Sequence, residues 1–220
     1  MGRKNKLPDD PIEALARYQR NIEDLPFGDE LAEMLFRESD RGLVIILGSW
    51  IEDSLLDKIS EKLVPMNQTE RKAFIERGPL RDFHARILMA RALGILSEAD
   101  KAVLETIKAM RNACAHCRRD ISFQTPELRA VLVSMLSDND RRIVEASPKS
   151  AFVPKAAFIT VCSFVLGIVR GETVDEASAR IKLANESFQR IVDERLGTLQ
   201  GKPSDKPAQG SPPRPKDKGR

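Results

Sequence analysis

Leucine and isoleucine recur at steps of four in the first half of the chain, at Leu43, Leu47, Ile51, Leu55, Ile59 and Leu63. At 3.6 residues per turn, this spacing aligns one face of a helix. Residues 43–47, LVIIL, are apolar on every side, which is typical of a helix buried at the centre of a bundle. The pattern predicts a central helix that ends before Pro65.

The start of this helix has two interpretations. Leu31 and Leu35 continue the same spacing upstream, but Gly42 permits a break before the apolar run. Ser39 or Asp40 could then cap the second half, since such side chains accept a free backbone N–H. Residues 27–64 are therefore expected to form either one long helix or two antiparallel helices.

Further helices are bounded by residues that start or stop helices. They are residues 67–77 closed by Gly78-Pro79, residues 83–93 closed by Gly94, a helix opened by a capping box at Ser97 and Asp100, one opened by Thr125-Pro126 that runs to about residue 136, residues 153–170, and a last helix capped by residues 173–176. No stretch has the period of a strand, so the sequence predicts an all-α bundle with extra C-terminal helices.

Residues 153–170 are nearly all apolar, but Thr160, Ser163 and Gly167 interrupt them. They also fall short of the ~20 residues needed to cross a bilayer. We therefore expect a core helix and no membrane span. In the last helix, apolar residues alternate four and three apart, as in a coiled-coil seam: Ala177, Ile181, Ala184, Phe188 and Ile191.

The 220 residues, 41% of them hydrophobic, are enough for one sizeable core. Residues 1–26 mix charge with prolines and are expected to be a flexible arm around one short helix near residues 12–20. Residues 27–198 are expected to form a single helical domain. Residues 199–220, rich in Lys and Pro, are expected to be a disordered tail.

The net charge of +3 comes from this tail, because residues 201–220 carry six Lys and Arg against two Asp, which is +4 and leaves −1 for residues 1–200. A near-neutral body argues neither for nor against nucleic acid. The odd number of cysteines, three, fits no disulfide framework. The N-terminus lacks the apolar core of a signal peptide. We expect a reduced, cytoplasmic protein.

Cys114, His116 and Cys117 are close in sequence, but Cys-x-His-Cys lacks a second ligand pair and His84 is the only other histidine. We therefore expect no metal site. No glycine-rich phosphate loop is visible, and no cofactor is expected. The basic run at residues 71–91 is either a solvated face or a phosphate-binding surface.

Residues 104–119, LETIKAMRNACAHCRR, combine an apolar helical face with basic residues and a histidine. On a wheel at about 100° per residue, Arg111 falls within the apolar arc. A guanidinium that faces the interior needs a carboxylate, an anion or a second molecule, because its desolvation otherwise costs several kcal/mol. Glu52 and Asp53, two acids within the central apolar helix, are predicted as its partners.

His116 lies five residues after Arg111, which is about 140° around a helix. One regular helix therefore cannot easily aim both side chains at one atom. Either the helix unwinds after Ala113, or two copies of the chain pair so that each contributes an arginine and a histidine to a shared cleft. The apolar seams favour the second route.

An arginine, a polar residue and a histidine near a helix end resemble the R-x(4–6)-H signature of HEPN domains. The longer stretches GLVIILGSWIEDSLLDKI and GPLRDFHARILMARALGILSEADKAVLETIKAMRNACAH are similar, in order and spacing, to the mannitol operon repressor branch of that superfamily. The likeness covers about residues 35–136, roughly half of the chain, in three separated blocks.

The resemblance implies an all-α bundle, dimerisation through the motif helices and, in many HEPN proteins, a metal-independent ribonuclease site shared across the dimer. On that interpretation, His116 would take the proton of a ribose 2′-hydroxyl and Arg111 would hold the phosphate. Asn112 would orient the imidazole. Arg118 and Arg119 would position the nucleic-acid backbone without reading its sequence.

Two functions therefore stay open. Repressors of this branch are named for a genetic role and lack a recognisable DNA-reading helix, so direct sequence-specific DNA binding is not expected. We favour a non-catalytic, repressor-type regulatory homodimer that acts through protein or nucleic-acid contacts. The alternative is a toxin-like, metal-independent endoribonuclease that uses Arg111, Asn112 and His116.

Overall fold

A computed structural model describes residues 29–173 and, beyond them, residues 175–179, 181, 182, 186 and 190. The predicted arm at residues 1–26, with its short helix, and the predicted tail at residues 199–220 lie outside the described residues. So do Ala184, Phe188 and Ile191 of the predicted C-terminal seam.

The described residues fold into helices and contain no strand, which confirms the all-α prediction. The helices are α1 (Asp29–Arg37), α2 (Asp40–Lys62), α3 (Gln68–Arg71) with a π-helical continuation (Lys72–Glu76), α4 (Phe83–Ala92), α5 (Glu98–His116), α6 (Pro126–Ser134), α7 (Asp138–Ala146) and α8 (Phe152–Arg170).

The region upstream of residue 64 forms two helices, α1 and α2, instead of one. Ser39 caps α2, because its hydroxyl accepts the backbone N–H of Gly42 at 3.0 Å. The break therefore lies before Ser39, and Gly42 belongs to the first turn of α2. Of the two residues predicted as caps, Ser39 is the one that forms the capping bond.

Helix α2 is the centre of the bundle, as its apolar run predicted. It packs against α4, α5 and α8, and its Leu43, Ile51, Leu55 and Ile59 are fully buried. Burial of a single side chain of this kind contributes about 1.5–3 kcal/mol. One hydrophobic core joins residues from α1 through α8.

Helix α8 is long and apolar enough to cross a membrane when length and composition alone are considered. Its Phe158, Ile159 and Cys162 are nevertheless buried in the core, and the ring of Phe158 lies 5.5 Å from that of Phe123. A core helix passes the same length and composition test, so this finding is weak evidence for a membrane span. The helix is part of the core, as predicted.

The predicted helix starts are present in detail. At α5, Ser97 accepts the backbone N–H of Asp100 and the Asp100 carboxylate accepts that of Ser97. Thr173 and Glu176 form the same reciprocal pair of bonds. After α4, Gly94 adopts a left-handed φ of +72°, which a residue with a Cβ rarely tolerates. Helix α5 therefore starts where the capping box predicted.

Candidate functional site

Arg111 lies between α5 and α2, and it forms an ion pair with Glu52. Arg111 Nη2 is 2.9 Å from Glu52 Oε2, and the two side chains are 28% and 11% exposed. The stem of Arg111 passes over Gly48, where an added Cβ would come within 3.0 Å of Arg111 Cδ. The guanidinium carbon lies 6.0 Å from the centre of the Phe83 ring. The predicted pairing of Arg111 with Glu52 is therefore present.

Glu52 has a second cationic partner, Arg86 of α4, which was not predicted from the sequence. Arg86 Nη1 lies 3.4 Å from Glu52 Oε1, and Arg86 Nε donates to the carbonyl of Leu80 at 2.9 Å. Asp53 forms its ion pair with Arg86, at 3.8 Å, and not with Arg111. The prediction that Asp53 pairs with Arg111 is therefore wrong, because Asp53 is the residue after Glu52 and faces α4.

The spacing of apolar residues around Arg86 is a sequence signal that could have indicated its buried position. Phe83, Ile87 and Ala90, three residues before and one and four residues after it, form the buried face of α4. An arginine flanked at these spacings points to the core. Arg86 therefore belongs to the buried network and not to a solvated or phosphate-binding face.

The carboxylates of this network are partly desolvated. Burial raises the pKa of Glu52, and the charges of Arg111 and Arg86 offset part of that rise. Burial also raises the pKa of Asp53, with Arg86 as the main opposing charge. The guanidinium groups thus keep ionised carboxylates inside the protein, where an unpaired charge would cost several kcal/mol.

His116 is the last residue of α5, and the helix is regular up to it. The unwinding of the helix after Ala113, one of the two predicted routes, is therefore wrong. His116 and Asn112 are both exposed on the helix. Neither side chain forms a hydrogen bond or ion pair with any of the described residues. Within one chain, the structure does not bring Arg111 and His116 together.

Contacts from α2 and α8 hold the C-terminal end of α5 and the loop that follows it. Arg41 Nη2 donates to the carbonyl of Ala115 at 3.3 Å, which caps the C-terminus of α5. Downstream, the backbone N–H of Phe123 donates to Asp40 at 2.9 Å. Lys155 of α8 lies 3.5 Å from Asp40 and donates to the carbonyl of Glu38 at 2.6 Å. These contacts fix both ends of the connecting loop.

The fixed loop carries Arg118 and Arg119, which are exposed, as are Asn112 and His116. We call these four residues the α5 terminal surface. It combines three basic or titratable groups with one amide, none of them in an ion pair with another described residue. Such a surface is suited to contact an anionic or polar partner without burying charge.

The buried cysteines have thiols of raised pKa and belong to no cluster of metal ligands among the described residues. Burial raises the pKa of the Cys114 thiol to about 11, so it is protonated at neutral pH. Burial also raises the pKa of Cys162, in the core. Among the residues that the structure describes, no group of three potential metal ligands is found.

No protein-family model matches the chain, and no curated protein or solved structure is significantly similar to it. The likeness to the mannitol operon repressor branch therefore stays a prediction from the sequence.

Proposed function

We propose that this protein is a non-catalytic regulatory dimer, of the mannitol operon repressor type, that acts by contacting a protein or nucleic-acid partner. The observation that carries the proposal is the ion pair of Arg111 with Glu52 inside one chain. An arginine that stabilises a phosphate during cleavage must direct its donors at the phosphate. Here the Nη2 atom is directed at an internal carboxylate.

The contact surface in this proposal is the α5 terminal surface. Arg118 and Arg119 are exposed, and arginine forms bidentate bonds with phosphates and carboxylates alike. Because the loop that carries them is anchored through Asp40 and Phe123, the partner would meet a preorganised edge. Preorganisation lowers the entropy lost on binding.

One observation favours the alternative, a metal-independent endoribonuclease. The His116 imidazole is exposed and forms no hydrogen bond within the described part of the chain, so it is available to a ribose hydroxyl. A ribonuclease would still need an arginine near that imidazole. Since α5 is regular, a second copy of the chain would have to supply it.

Incubation of labelled single-stranded RNA with the purified protein in EDTA separates the two functions. We expect no cleavage by the wild type, and the same result for His116→Ala and for His84→Ala, which removes the only other histidine. Cleavage that is lost in His116→Ala and kept in His84→Ala would overturn the proposal. Light scattering after gel filtration tests the dimer, and a monomer at micromolar concentration would contradict it.

A further inference from the structure

A second cluster of titratable groups joins α4 to α5 at the surface. His84 Nδ1 lies 2.6 Å from Glu105 Oε1 and 3.1 Å from Lys108 Nζ. Lys108 is also in close contact with the Glu105 carboxylate. The imidazole is 53% exposed, and the side chains of Glu105 and Lys108 are 28% and 21% exposed. One carboxylate thus serves two nitrogen groups.

The two distances at His84 Nδ1 together indicate which protonation state of the imidazole fits the observed geometry. A separation of 2.6 Å from a carboxylate oxygen requires a hydrogen on Nδ1, since two acceptors repel each other. A separation of 3.1 Å from the ammonium of Lys108 favours a ring without positive charge, and a neutral imidazole with its hydrogen on Nδ1 meets both conditions. Protonation of Nε2 would place an imidazolium beside the ammonium of Lys108, and two unit charges about 4 Å apart repel by about 1 kcal/mol even in water.

We propose that His84, Glu105 and Lys108 form a proton-operated exchange of partners between α4 and α5. When His84 takes a proton from solvent, its imidazolium holds Glu105 through Nδ1–H, and Lys108 is displaced into water. When His84 loses that proton, Lys108 returns, and Glu105 again holds both groups through its two oxygens, as in the structure. The exchange releases the ammonium of Lys108 one helical turn before Arg111, so protonation makes this face of α5 more positive.

The other charged groups near this cluster have partners of their own, so the exchange involves only His84, Glu105 and Lys108. Burial raises the pKa of Glu105, but hydrogen bonds from Lys108 and His84 outweigh it and hold this pKa below its usual value. The carboxylate therefore stays ionised where an imidazole titrates, at about pH 6.5. On α4, Asp82 is occupied by the backbone N–H of Ala85. Helix α2, which also packs against α4, presents Glu52 and Asp53 to Arg86.

An NMR titration of the two histidines tests the exchange. In Lys108→Met the competing cation is gone, so the midpoint of the His84 titration should be higher than in the wild type. In Glu105→Gln the carboxylate charge is gone, and the midpoint should move down. Lys101→Met is the matched control, because Lys101 is on the same helix and pairs with Glu98. Lys101→Met should leave the midpoint of the His84 titration unchanged. None of the three replacements should change the His116 signal.

Two results would overturn the exchange. The first is a His84 midpoint that is the same in Lys108→Met and in Lys101→Met. The second concerns the Lys108 Cε and Hε signals of the wild type. If the exchange takes place, these signals shift along with the His84 titration. Lys108 signals that do not change across the titration would show that the side chain is not displaced.

Discussion

Replacement of Arg111 by methionine removes the closer of the two guanidinium groups on Glu52 and keeps much of the apolar stem. Removal of one partner of a buried ion pair costs about 3–5 kcal/mol, whereas an exposed pair contributes at most about 1 kcal/mol. The pair lies between these limits, with Arg111 28% exposed and Glu52 11% exposed. Arg86 also keeps a cationic nitrogen 3.4 Å from Glu52. We expect Arg111→Met to lower the free energy of unfolding by about 2 kcal/mol.

Replacement of the other partner, Glu52→Gln, should lower the free energy of unfolding by less. In Glu52→Gln no charge is left without water, because Arg111 can reach solvent and Arg86 keeps the carbonyl of Leu80 and the carboxylate of Asp53. We expect a loss of about 1 kcal/mol or less. In the Glu52→Gln background, Arg111→Met should then cost only about 0.5 kcal/mol. The coupling energy of the double-mutant cycle is thus about 1.5 kcal/mol.

Urea unfolding, followed by circular dichroism and by the fluorescence of Trp50, the only tryptophan, measures this cycle. Lys101→Met is the control, since its partner Glu98 is 70% exposed. It should cause no measurable change. If Arg111→Met costs the same in the wild type and in Glu52→Gln, the two side chains are not coupled, and the ion pair does not hold Arg111 in place.

Two further predictions concern acid and thiol chemistry. Burial raises the pKa of Glu52, so the stability linked to this group is present below its ordinary pKa of 4.5 and is lost as the pH rises through the pKa of the folded state. Arg111 opposes this rise, so the cost of Arg111→Met should be larger at pH 7, where Glu52 is charged, than at pH 4. A cost that is independent of pH would contradict this prediction. With a thiol reagent at pH 8, Cys117 should react in the native protein, whereas the buried Cys114 and Cys162 should react only after unfolding. Fast reaction of all three thiols would contradict the burial of the two.

Most of the fold follows from periodicity and from helix-terminal residues. The step of four from Leu43 to Ile59 predicted the buried face of α2, and the capping box at Ser97 and Asp100 predicted the start of α5. The break between α1 and α2 stayed open in the sequence. Ser39 and Gly42 are compatible with either a break or a continuous helix, and packing at the corner decides, with Asp40 held by Phe123 and Lys155.

The site was less predictable, because the choice of partner for a charge depends on tertiary distances. The sequence indicated that Arg111 needs a carboxylate and that Glu52 could supply it. It did not indicate that one carboxylate serves two arginines, since Arg86 stood in a run of basic residues that also fits a solvated face. His84 and Glu105 are 21 residues apart, and no local pattern relates them.

The regular course of α5 gives Arg111 and the α5 terminal surface different roles in binding. A ligand that needs the guanidinium of Arg111 must first release it from Glu52. If that release costs about 2 kcal/mol, the competent state is populated about 30-fold less, and the apparent affinity falls by the same factor. A partner that uses only the exposed groups does not meet this cost. We therefore expect partners to bind through Arg118 and Arg119 and to leave Arg111 in its ion pair.

This expectation separates stability from binding. At a temperature where all variants are folded, Arg118→Ala with Arg119→Ala should weaken binding of a labelled nucleic acid in an anisotropy titration and reduce its salt dependence, because two phosphate contacts are lost. Arg111→Met should lower stability and leave that affinity unchanged. An equal loss of affinity in Arg111→Met would show that Arg111 leaves Glu52 to contact the ligand. If the wild type binds no nucleic acid even at low salt, the same pair of variants applies to a protein partner, because arginine binds carboxylates with the geometry it uses for phosphates.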